Sequence, residues 1–178
     1  MTVDWSDYAP YVPEVARPLH EVSRREARAA FKQLMAAKDE RIAELERLLQ
    51  RNGITLRSSD EGLQELNDWF RKEVETNPQQ PGRLRSLWYA VVNDLSLYLG
   101  DVMIERCPSL EWVMFTRGAK DNAYQRHVIM GFTGVPNPNY RIDIGLLLAT
   151  YGHRIIGGHD DIEDDAFVGW VSAAQEKV

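Results

Sequence analysis

The chain predicts an α+β fold: a central amphipathic helix packed against an antiparallel β-hairpin or small sheet, with flanking helices and a long N-terminal amphipathic helix. Three observations predict it. Between Arg83 and Glu105, Leu84, Leu87, Trp88, Val91, Val92, Leu95, Tyr98, Leu99, Val102 and Met103 recur at three- and four-residue spacing, a face too apolar for a surface helix. After Pro108 the period becomes strand-like, with short apolar runs at Trp112-Val113-Met114-Phe115 and His127-Val128-Ile129-Met130-Gly131-Phe132. Well before both, Phe31, Leu34, Met35, Ile42, Leu45, Leu48 and Leu49 draw an apolar stripe along a charged segment.

Taken in order, residues 1–18 hold Trp5, Tyr8, Tyr11, Pro10, Pro13 and Pro18, which resist regular structure but offer large apolar side chains. They read as an extended arm, packed on its own domain or docked on a partner. A long helix follows from about Leu19 to Asn52, and Asn52-Gly53 stops it because both residues tolerate the left-handed conformation. Met35, Ile42 and Leu49 recur every seven residues with Leu45 between the last two, a short coiled-coil signal with Lys38 interrupting the companion position.

Ser58, Ser59 and Asp60 can cap a second helix whose face is Leu63, Leu66, Trp69, Phe70 and Val74, with Glu61 complementing its positive end. Thr76 to Gly82 reads as a linker. Pro81-Gly82 and Cys107-Pro108 bound the central helix, since proline cannot continue the hydrogen-bond ladder. Gly100 inside that helix costs roughly 1 kcal/mol relative to alanine, which a close contact with the following strand would offset.

Arg117 to Asn122 is the polar turn of a hairpin, and a third strand is expected near His153-Arg154-Ile155-Ile156 because a lone hairpin is marginal in water. Asn137-Pro138 reads as a helix start, with Tyr140, Ile144, Leu147, Leu148 and Tyr151 as the buried face up to Gly152. Gly157-Gly158 breaks the chain, and a short helix with Phe167, Val168, Trp170 and Val171 closes it. The expected division is residues 1–57 as arm and long helix, and residues 58–178 as the α+β body.

The run Leu95-Ser96-Leu97-Tyr98-Leu99-Gly100-Asp101-Val102-Met103, then Glu111-Trp112-Val113, a hairpin and Asn137-Pro138, resembles small uncharacterised bacterial helix–hairpin–helix domains. The resemblance covers about Leu63 to Gly152 and rests on packing residues, with Asn93 to Ser96 replacing the first glycine region of the pattern. It implies the same fold and, since some such domains are thought to be immunity or accessory proteins, a binding role. It carries no catalytic residue.

A net charge of −6 argues against nucleic acid as a partner, because phosphate binding needs clustered positive charge. The single cysteine, Cys107, excludes an internal disulfide and multi-cysteine zinc sites. Nothing resembles a signal peptide or an apolar run of about 18 residues, so a cytoplasmic location without membrane contact is expected.

The most suggestive chemistry is His153 followed by His159, Asp160 and Asp161 in an acidic run, but the spacing matches neither a zinc helix nor a calcium loop. His127 would need His153 or Asp143 as an orienting partner to act as a base. Cys107 has only Arg106 nearby to favour a thiolate, which points to a structural thiol. No Gly-x-Ser-x-Gly elbow, phosphate loop, dinucleotide fingerprint or His-Glu-x-x-His is present, and no cofactor is expected.

The leading expectation is a non-catalytic protein-binding module, of immunity or accessory type, engaging a basic partner. Its interaction residues are Met35, Ile42, Leu45 and Leu49 on the long helix and Trp5 and Tyr8 on the arm. Two alternatives stand beside it: a metal-dependent or acid–base enzyme using His127, His153, His159 and Asp160, and a structural subunit self-associating through Phe31 to Leu49. The first alternative requires those side chains to converge in a cleft, and the leading expectation requires the helix stripe to be exposed.

Overall fold

The computed structural model describes residues 3–178. A 3-10 turn at Leu19–Glu21 precedes α1 (Arg24–Arg51), α2 (Asp60–Glu73), β1 (Thr76–Asn77), β2 (Gln80–Leu84), α3 (Ser86–Arg106), β3 (Glu111–Met114), β4 (His127–Met130), α4 (Ile144–Ile156) and α5 (Ala166–Gln175). The strands form two antiparallel pairs, β1 with β2 and β3 with β4. This is the expected α+β architecture, with α3 at its centre.

Helix α3 is enclosed by α1, α4 and α5. Every residue from Asp94 to Gly100 is buried, so its apolar face has widened to the whole circumference. Trp88 anchors one end, meeting Trp5 edge-on at 5.3 Å, Trp69 at 5.3 Å and Phe70 at 5.7 Å between ring centroids. Near the other end, the Trp112 ring of β3 lies directly over Gly100, where ring carbons occupy the space a Cβ would need. Asp101 holds that ring by accepting from Trp112 Nε1 at 3.0 Å, and Lys38 of α1 pairs with the same carboxylate.

The caps explain the helix starts. Ser23 and Glu26 form a reciprocal capping box on α1, so the long helix begins there instead of at Leu19. Ser59 caps α2 by accepting from Gly62 N. Asp143 caps α4 by accepting from Leu146 N and is held by Arg126 through both carboxylate oxygens.

Three expectations are corrected. Thr76 to Gly82 is no linker: it holds the β1–β2 hairpin, with Gly82 at φ +86°, and α3 starts at Ser86 instead of Arg83. Asn137 caps no helix, because its side chain accepts from Asn139 N in a local turn and Asp143 takes the capping role six residues later. His153 to Ile156 is the last turn of α4 and not a strand. Support for the β3–β4 hairpin comes instead from Ile142, which exchanges both backbone hydrogen bonds with Ile129. One hydrophobic core joins Leu45, Leu48 and Leu49 to Leu63, Phe70 and Leu99, crossing the expected 57/58 boundary.

Candidate functional site

The helix stripe faces inward. Leu45 and Leu49 are fully buried, Ile42 is half-buried against the same core, and Met35 is half-buried. Trp5 lies half-buried against Trp88, and Tyr8 is buried with its hydroxyl donating to Asp94 Oδ2 at 2.7 Å. Five of these side chains, all but Met35, belong to or pack against the monomer's own core, so the version of the binding reading that needs an exposed stripe is corrected. The amphipathic period reported a buried face and could not say whose core buries it.

Beneath the arm, Arg41 of α1 reaches Asp94 of α3 through two bonds, Nε to Oδ1 at 3.0 Å and Nη2 to Oδ2 at 2.6 Å. Its Nη1 donates to Ala9 O at 2.7 Å, and its guanidinium lies over the Tyr8 ring. Burial first, and then the Asp94 carboxylate, push the Tyr8 hydroxyl far above its ordinary pKa, so it stays a donor. The cluster clamps the arm, α1 and α3 together.

The histidines and acids expected of an enzyme do not assemble. His153 Nδ1 lies 3.0 Å from Gly82 O and its Nε2 lies 3.3 Å from the Tyr89 hydroxyl, bracing α4 against β2 and α3. His159 and Asp160 are exposed, and Asp161 pairs with Arg154 at 2.9 Å. His127 stands on β4 beside the Trp112 ring. Among the described residues, no three His, Cys, Asp or Glu side chains gather as a metal-binding set. Cys107 is buried, and that burial raises its thiol pKa, away from the reactive thiolate.

Among the concavities of the described residues, two have mainly apolar linings. The larger, about 840 Å³, runs between the arm, the end of α1 and the outer face of α2. Ile54 and Trp69 supply its apolar lining, and five carboxylates (Asp4, Glu61, Glu65, Asp68 and Glu73) outnumber the cations Arg51 and Lys72. Four of these carboxylates, Glu61, Glu65, Asp68 and Glu73, stand on α2, and Glu61 lies in its first turn, where the helix dipole favours an acid.

The smaller, about 180 Å³, lies under the arm between α1, α3 and β4. Tyr11, Leu19, Phe31 and Leu34 make most of its wall, and Asn93, Gln125 and His127 are its polar members. Gln125 is 1% exposed and sits at φ +63°, a region that side chains other than glycine rarely adopt. No sequence signal marked it: it lies in a polar turn region, and its neighbours come from three distant segments.

No family model matches the chain, and neither does any curated protein or solved structure. The functional reading therefore rests on the geometry.

Among the described residues, no helix is long and apolar enough to cross a membrane.

Proposed function

We propose that the chain is a non-catalytic protein-binding module whose groove along α2 receives a lysine- and arginine-rich segment of a partner protein. The observation that carries this reading is the combination of an apolar lining at Trp69 and Ile54 with a rim of five carboxylates and two cations. A cationic side chain can lay its methylene stem along that lining and place its charge among the carboxylates. The overall charge of −6 adds long-range attraction that raises the rate of encounter and disfavours acidic competitors. A role as an immunity or accessory protein, shielding a basic site on an enzyme, is the biological form this binding takes in the proposal. Leu45, Leu48 and Leu49 of the helix stripe lie in the monomer's own core, so the proposal places binding in the groove.

The test is tagged-protein capture from the native cell extract, run with the wild type, with Glu65→Lys/Asp68→Lys, and with Glu111→Lys/Glu176→Lys outside the groove. A stoichiometric basic partner retained by the wild type and the outside variant, and lost with the groove variant and at high salt, is the expected result. A partner indifferent to the groove charges, or none at all, would overturn the reading.

A further inference from the structure

The first half of α1 carries a ladder of positive charge. Arg24, Arg28 and Lys32 follow one another at four-residue spacing and, at about 100° per residue, share with Arg25 an arc of about 100°. All four are exposed, and none of the ion pairs among the described residues includes any of them. Arg24 donates to Thr116 O at 3.2 Å. Glu26, the one acid between Arg24 and Lys32, lies on another side of the helix and is engaged by Ser23 and Arg17. Two rules of helix electrostatics are broken here. Like charges four residues apart repel, and Arg24 and Arg25 open the helix where its dipole favours acids. Nothing inside the chain offsets that cost, whereas an anionic surface laid along this face would.

The groove along α2 is such a surface. Glu61, Glu65 and Asp68 line it from one face of that helix, at spacings of four and three residues. At about 1.5 Å per residue the acidic ladder is about 10.5 Å long and the basic one about 12 Å, so three cations can stand opposite three carboxylates. Arg57 reaches Glu65 at 2.6 Å, while Glu61 and Asp68 take part in no ion pair among the described residues. The two ladders do not meet within one molecule, because the groove lies against Arg51 and Asn52, and Arg51 is about 28 Å along α1 from Lys32.

We infer that a second copy of this chain docks its basic ladder in the acidic groove, an inference that rests on the groove reading above and names one occupant of it. The contact uses the charged outer face of α1 and not its buried apolar stripe. The charge of −6 on each copy does not forbid it, because at 0.1 M salt charges more than about 10 Å apart are largely screened and local sign decides the contact. The methylene stems of Arg28 and Lys32 lie along Trp69 and Ile54, with their charges among the carboxylates. Self-association therefore occupies the groove, and a basic partner must displace a neighbouring copy to enter it.

The experiment is sedimentation of the full chain at about 0.1 M and about 1 M salt, where the screening length falls from about 10 Å to about 3 Å. It is run on the wild type alone and with octalysine, on Arg28→Glu/Lys32→Glu, on Glu65→Lys/Asp68→Lys, and on an equimolar mixture of the two variants. The wild type should associate at the lower salt and at least about tenfold more weakly at the higher. Each variant alone should be a monomer, and the mixture should associate again, since each variant supplies the charge the other lacks. Octalysine should return the wild type to monomers. Association that survives either variant or octalysine, or a mixture of folded variants that stays monomeric, would overturn the inference. A wild type that stays monomeric at millimolar concentration would also overturn it. If octalysine then binds the wild type and not the groove variant, the groove reading stands alone, and if octalysine binds neither, both fail. Duplex DNA bound by a monomeric wild type and not by Arg28→Glu/Lys32→Glu would assign the ladder to nucleic acid and overturn the inference. The wild-type measurements stand even if a variant fails to fold.

Discussion

Arg41 and Asp94, 53 positions apart in sequence, meet in a two-pronged ion pair in the interior, with Nε to Oδ1 at 3.0 Å and Nη2 to Oδ2 at 2.6 Å. Asp94 is fully buried and Arg41 is 8% exposed. Removing one partner strands the other charge in the core, at a cost of about 3–5 kcal/mol. Asp94→Ala and Arg41→Met should each lower stability by that order in urea unfolding. The double change Arg41→Met/Asp94→Leu should be much less harmful than the sum of the two. Additive losses across the cycle would mean that the two side chains do not act together.

Gly100 and Gly169 should respond to alanine in opposite directions. A methyl on Gly100 meets the Trp112 ring, which Asp101 holds in place, so Gly100→Ala should destabilise by about 1–3 kcal/mol through overpacking. Gly169 is exposed within α5 with open space around it, so Gly169→Ala should stabilise by about 1 kcal/mol through helix propensity. Thermal melting of the two variants distinguishes the signs, and a tolerated Gly100→Ala would show that Trp112 is free to move.

Below neutrality, His127 should make stability depend on pH. Burial, with Arg126 adding to it and Asp143 opposing, lowers its pKa from 6.5 to about 4 in the folded chain. The unfolded chain then takes up this proton first as pH falls, so the contribution is intact above about pH 6.5 and is lost between about pH 6.5 and 4. Its full size is up to about 3 kcal/mol. In urea titrations at pH 7 and pH 4.5, His127→Gln should show a shallower fall than the wild type by most of that amount. Identical slopes would mean that the half-buried ring is not held neutral by its surroundings.

Asn67 joins α2 to the segment leading into α5. Its Nδ2 donates to Asp164 O at 2.7 Å, and its Oδ1 accepts from the Tyr151 hydroxyl at 3.3 Å and from Phe167 N at 3.4 Å. Asn67→Ala removes these partners from groups inside the core, at a cost of roughly 2–3 kcal/mol. Hydrogen exchange should show the first turn of α5 losing protection before α1 does. Uniform loss of protection would place Asn67 in the global fold only.

Much of the framework was legible in the sequence because it is written in local spacing. Ser59 before Gly62 is a capping geometry that three or four residues decide, and Asn52-Gly53 stops α1 within its own last turn. The β3–β4 pairing follows from two apolar runs around a polar turn, and Gly100 announced a close neighbour that turned out to be Trp112. The local signals failed where two starts competed. Asn137-Pro138 has the composition of a helix start, but Arg126 holds Asp143, and the helix begins where that pair fixes a cap.

By itself, the sequence determined the main helices, the β3–β4 hairpin and the apolar face of each, because turns, caps and period involve residues a few positions apart. It missed the β1–β2 hairpin and misplaced a strand at residues 153–156. Tertiary structure alone decided what those faces meet. The stripe at Leu45 and Leu49 became core instead of interface, because the arm and α3 close over α1 with Tyr8 reaching 86 positions to Asp94. The cavity at Gln125, bonded to Leu19 106 positions away, exists only where arm, helix and strand converge. A side chain's period is fixed by its neighbours along the chain, while its environment is fixed by residues brought beside it when the core excludes water.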